Sequence, residues 1–121
     1  MRPFPLLALA GSLLLSACGP SLDELKAEPV RFSIATPVPF ETMANCLVAR
    51  SMDDYLPTPQ IYRDRGVAYV TLNHRQAMTI QAEYTVTRTG TGSTVEFRRR
   101  KLLVDSNDDR QRRAIDECEH G

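Results

Sequence analysis

Met78-Thr79-Ile80-Gln81-Ala82-Glu83-Tyr84-Thr85-Val86-Thr87 is the stretch that decides the fold. Met78, Ile80, Ala82, Tyr84 and Val86 keep one side of a two-residue period; Thr79, Gln81, Glu83, Thr85 and Thr87 keep the other. A strand turns successive side chains to opposite faces, so this pattern predicts a strand with one dry face and one wet face. Sheets of that kind are antiparallel, because parallel strands are covered on both sides and read as continuous apolar runs.

Outward from this strand, Asn73-His74-Arg75 is expected as a turn and Val67 to Leu72 as the preceding strand. Arg65-Gly66 turns the chain back to a further strand at Gln60 to Arg63. Downstream, Gly90 and Gly92 mark a connection, after which Val95 and Phe97 continue the apolar face and Thr94, Glu96 and Arg98 the polar one. The alternation fails at Arg99. Leu102 and Val104 take the opposite phase, so either a bulge shifts the register or the strand has ended.

Phe40, Met43, Ala44 and Leu47 fall at helical spacing, with Glu41 in the first turn, and Cys46 lies beside that stripe. Ser106-Asn107-Asp108-Asp109 reads as a helix start, with Ala114, Ile115 and Cys118 as its apolar stripe. Val30, Phe32 and Ile34 alternate with Arg31 and Ser33 as a first strand. Asp53-Asp54 and Pro57-Thr58-Pro59 read as a polar, proline-punctuated loop. The expected fold is α+β: a curved antiparallel sheet of about five strands with two helices on one face, joined by a disulfide between Cys46 and Cys118. Two unpaired buried thiols are the alternative for these cysteines.

The N-terminus carries Met1-Arg2, an apolar run from Leu6 to Leu15, and Leu15-Ser16-Ala17-Cys18. This order resembles the lipobox signal of bacterial lipoproteins, cut before a cysteine that then receives lipid. An ordinary secretory signal with an incidental cysteine is the alternative. The apolar run is shorter than the roughly 20 residues needed to span a bilayer. The resemblance implies a diacylglycerol thioether on Cys18 and an acylated amino group, an anchor of more than one chain that holds a protein on its membrane. With Gly19 rather than aspartate after the cysteine, it implies the outer membrane, facing the periplasm. Residues 1–17 are then a signal peptide, 18–29 a lipidated N-terminus and tether, and 30–121 a single domain. Ser21-Leu22-Asp23-Glu24 matches a capping box that starts one or two helical turns within the tether, before Pro29. Architecturally, residues 30–120 resemble small proteobacterial lipoproteins of unassigned activity: a strand, a helix with one cysteine, a meander and a helix with the other.

Removal of residues 1–17 takes away only Arg2 from 15 basic and 15 acidic residues, and the near-neutral balance gives no reason to expect a nucleic-acid partner. The run Arg98-Arg99-Arg100-Lys101, followed by Arg110, Arg112 and Arg113, attracts phosphate in principle. Interspersed acids favour reading it as a solvated strand edge and helix face. His74 and His120 lack partners at zinc or catalytic spacing, and Asp53-Asp54 lacks the EF-hand pattern, so no metal and no cofactor are expected. Tyr62, Tyr69 and Tyr84 are read as packing residues, with a partner interface as the alternative. Together these features predict a non-enzymatic, membrane-anchored accessory with an envelope protein partner. The alternative is an inhibitor or immunity-type lipoprotein whose loops, Asp53 to Pro59 or Thr89 to Ser93, block a hydrolase.

Overall fold

A computed structural model describes residues 22–77, 79–101 and 106–121, apart from the side chains of Ser106 and Asn107. Its elements are α1 (Leu22–Lys26), β1 (Phe32–Thr36), α2 (Phe40–Ser51), β2 (Tyr55–Tyr62), β3 (Val67–His74), β4 (Ile80–Thr89), β5 (Gly92–Arg99) and α3 (Ser106–His120). The five strands form one antiparallel sheet in the order β1-β5-β4-β3-β2. The alternation in the deciding stretch does what it predicts: Ala82, Tyr84 and Val86 are fully buried on one face. Ala68, Val70 and Leu72 of β3 stand across from them in register, as do Val95 and Phe97 of β5. Onto this face pack Phe40, Met43, Ala44 and Leu47 of α2 and Ala114 and Ile115 of α3. Met78 lies outside the described residues. A register shift after Leu72 places Ile80 opposite Asn73 and takes it out of phase with Ala82.

The disulfide joins α2 to α3, between cysteines with Cα atoms 5.8 Å apart and a sequence separation of 72. In the chain-entropy model, closing a loop of that length stabilises the fold by roughly 4 kcal/mol. Close backbone packing accounts for Gly92, where a Cβ would stand 2.2 Å from the Thr36 carbonyl oxygen. Gly66, with φ of 65°, supplies the left-handed residue that closes the β2–β3 turn.

Four expectations need correction. Pro57-Thr58-Pro59 is not a loop but the middle of β2, an edge strand, where a missing N–H on the open side costs the sheet nothing. Asn73 and His74 belong to β3, and the turn follows them at 75–77. The one or two helical turns expected in the tether are present as α1, but rather than serving as a free spacer they pack on the second face of the sheet with Leu25 buried. That face is therefore not uniformly wet: Glu83 is 1% exposed, beneath α1, and accepts hydrogen bonds from Lys26 Nζ at 3.2 and 3.3 Å. Finally, β5 is an interior strand that ends at Arg99, so the basic run is no strand edge, and Arg99 is only 4% exposed. Leu102 and Val104 lie outside the described residues.

Candidate functional site

Arg99 continues the inward phase of Val95 and Phe97, and its charge is met by Asp108 in the first turn of α3. Arg99 Nε donates to Asp108 Oδ1 at 2.6 Å, while Arg31, at the start of β1, donates to Oδ2 through Nη2 at 2.9 Å. Burial works against the Asp108 charge, but the hydrogen bonds and charges of Arg99 and Arg31 outweigh it and hold the carboxyl below its usual value. This knot fixes the start of α3 to the end of the sheet. The other basic residues scatter. Arg98 Nε donates to the Glu28 carbonyl, Arg112 lies 4.5 Å over the Phe32 ring, and Arg110 pairs with Asp54 at 2.9 Å.

The histidines and tyrosines also separate. His74 Nδ1 accepts the amide hydrogens of Gln76 and Ala77 and so shapes the β3–β4 turn, and His120 lies near Asp116 and Glu119 at the C-terminus. Tyr62 and Tyr69 meet edge to face on the second face of the sheet, at 6.0 Å, with Arg65 and Lys26 over their rings. Tyr84 is in the core, and its hydroxyl donates to Gln111 Oε1. Burial, with the nearby Tyr55, raises its ionisation well above the ordinary phenol value. Among the described residues, no three His, Cys, Asp or Glu side chains cluster as metal ligands, and no helix is long and apolar enough to cross a membrane. Cys18 lies outside the described residues.

A cleft of about 210 Å³ lies between the end of α2 and the middle of α3. Arg110, Arg113, Ala114 and Glu117 recur on one face of α3, because positions three and four apart stack on a helix. Arg50, Ser51 and Asp54 close the opposite wall. Two ion pairs bracket the opening, Arg50 to Glu117 at 3.5 Å and Arg110 to Asp54 at 2.9 Å. Ser51 and Gln111 are both only 3% exposed, an uncommon degree of burial for polar side chains. Burial raises the Tyr55 hydroxyl too, with Asp54 adding to it and Arg110 opposing. The disulfide holds both walls in place.

Sequence reasoning reached Asp54, Arg110 and Arg113 separately but did not place them in one cleft. Their meeting depends on the pairing of two helices distant in sequence, for which Cys46 and Cys118 were the available signal. The two loops expected to plug a hydrolase have little reach: Pro57 to Pro59 lies within β2, and Thr89 and Gly92 pair across a two-residue turn. Comparison with family models, curated proteins and solved structures finds no match to this chain.

Proposed function

We propose that the chain is a lipid-anchored, non-enzymatic domain of the bacterial envelope, held through Cys18 on the periplasmic side of the outer membrane and acting as a binding or assembly accessory. The observation that carries this reading is the division of the three cysteines. Two are consumed by the Cys46–Cys118 bridge, a bond typical of oxidising compartments, and the third stands in the lipobox-like context. The α2–α3 cleft supports recognition of a polar partner surface, since five charged side chains line it and only four of them fall into its two ion pairs, Arg113 belonging to neither.

Metabolic labelling with a clickable fatty acid tests the anchor: wild type takes the label and Cys18→Ala does not. Equal labelling of both removes the anchor from the proposal. In-cell cross-linking from position 113, read by mass spectrometry, tests the partner. An envelope protein captured from that position and not from Thr85, on the opposite face, is the expected result. Capture from Thr85 alone would overturn the assignment of the cleft as the recognition surface.

A further inference from the structure

The sheet is open, and its two edges are built differently. Arg100 N donates to Gln81 O and Arg88 N donates to Gly66 O, which fixes the hydrogen-bond alternation on both sides of β4. Carried outward through the registers, this alternation turns the amides of Phe32, Ile34 and Thr36 towards β5 and those of Leu56, Thr58, Gln60 and Tyr62 towards β3. The open amides are then those of Ser33 and Ala35 on β1, and of Tyr55, Pro57, Pro59 and Ile61 on β2. On β2 the prolines remove donors that an incoming strand would need. Nothing comparable protects β1, whose Phe-Ser-Ile-Ala-Thr run has no proline and no charge. Ser33 and Ala35 are exposed, and among the described residues no backbone group bonds to that side.

We propose that β1 pairs with β1 of a second copy, antiparallel about a twofold axis at Ile34, to make one continuous sheet. In this register Ser33 stands opposite the Ala35 of the second copy and Ile34 opposite its own equivalent. All the open N–H and C=O groups of Ser33 and Ala35 are then used. No charged side chain of β1 is brought against a like charge. Arg31, at its end, is already held by Asp108.

A second copy fits this edge for a geometric reason. A twofold relating antiparallel neighbours in one sheet runs perpendicular to it, so both α1 helices lie on the same side. Leu22 of α1 follows Cys18 by four residues, a reach of at most ~14 Å. Both anchors can therefore enter one leaflet, given the lipid on Cys18 proposed above. A five-residue strand pair falls short of the roughly 1,000 Å² of a stable interface, so association is weak in solution and is strengthened by confinement to the membrane.

The test uses two differently tagged full-length copies expressed together, extracted in detergent and captured through one tag. Wild-type copies capture each other. Ser33→Glu with Ala35→Glu places like charges directly opposite and is expected to cut capture at least about tenfold, as is Ser33→Lys with Ala35→Lys. Mixing the Glu and Lys variants restores it. Hydrogen exchange at Ser33 and Ala35 gives an independent readout, slow in wild type and fast in either variant alone. Absence of wild-type self-capture overturns the proposal, and so does capture indifferent to these charges or capture of another protein through β1 instead. Fatty-acid labelling of the same cells separates the two readings: labelled copies that fail to self-capture refute the pairing and leave the anchor standing. Unlabelled copies that do self-capture refute the anchor and keep the pairing.

Discussion

Asp108 shows how one carboxylate organises an end of the molecule. Its oxygens take hydrogen bonds from a buried arginine and a half-exposed one while sitting in the first turn of α3, where the helix dipole favours negative charge. Because the folded protein holds this carboxyl below its usual value, its contribution is complete above the unfolded carboxylate pKa of about 4. It is lost as the pH falls through the depressed value. Asp108→Asn should therefore destabilise the fold at neutral pH by roughly 1.5–3 kcal/mol, the range for hydrogen bonds to charged groups, read from urea unfolding as a lower midpoint. It should also flatten the loss of stability below about pH 4. Superimposable acid limbs for the two proteins would show that the charge is not what matters. The residue most concealed from sequence reading is the partner, Arg99. A charge in an apolar phase reads as the end of that phase, although 95, 97 and 99 keep one parity, and it takes the acid of a later helix, with the Arg100 carbonyl, to compensate its burial.

At the scale of elements, α1 is the one whose existence and position have different origins. A helix of five residues is marginal in water, so the capping pattern alone does not hold it in place. The Leu25 side chain buried against the sheet, the Lys26–Glu83 pair and the Lys26 ammonium 3.8 Å over the Tyr69 ring do so. Burying a leucine contributes roughly 1.5–3 kcal/mol, enough to decide whether so short an element stays docked. Leu25→Ser is expected to release α1, seen as faster tryptic cleavage after Lys26, while the thermal midpoint of the rest of the domain changes little. Unchanged cleavage would mean that the Lys26 contacts suffice without the leucine. Strands β3 to β5 and helices α2 and α3 were legible because each repeats its period several times. Only the second half of β2 was, from Gln60 on; its first half was not, since Pro57 and Pro59 carry the same signature as a loop until the sheet shows that their nitrogens face outward. Nor was the docking of α1, where Leu22 and Leu25 are too few to reveal a period.

For the whole molecule, the order of layers is α1, sheet, then α2 with α3, and the disulfide locks the last layer. If Cys18 is lipidated, the short reach from the anchor to Leu22 sets α1 and its face of the sheet towards the membrane. The α2–α3 cleft is then directed into the periplasm, about a sheet-to-helix packing distance of ~10 Å further out. The same arrangement leaves the β1 edge lateral, free to meet another copy on the same surface. This geometry makes a measurable contrast between two exposed or half-exposed positions on opposite sides of the sheet. Spin labels introduced by Thr85→Cys, on the α1 side, and by Arg113→Cys, beside the cleft, should differ in membrane-bound protein. The label at 113 is expected to be several times more accessible to a water-soluble relaxing agent than the label at 85, and the difference should shrink when Cys18→Ala releases the domain from the membrane. Equal accessibility in the bound state, or a difference that persists unchanged after release, would mean that the anchor does not orient the domain and that the cleft faces the periplasm no more than the sheet does.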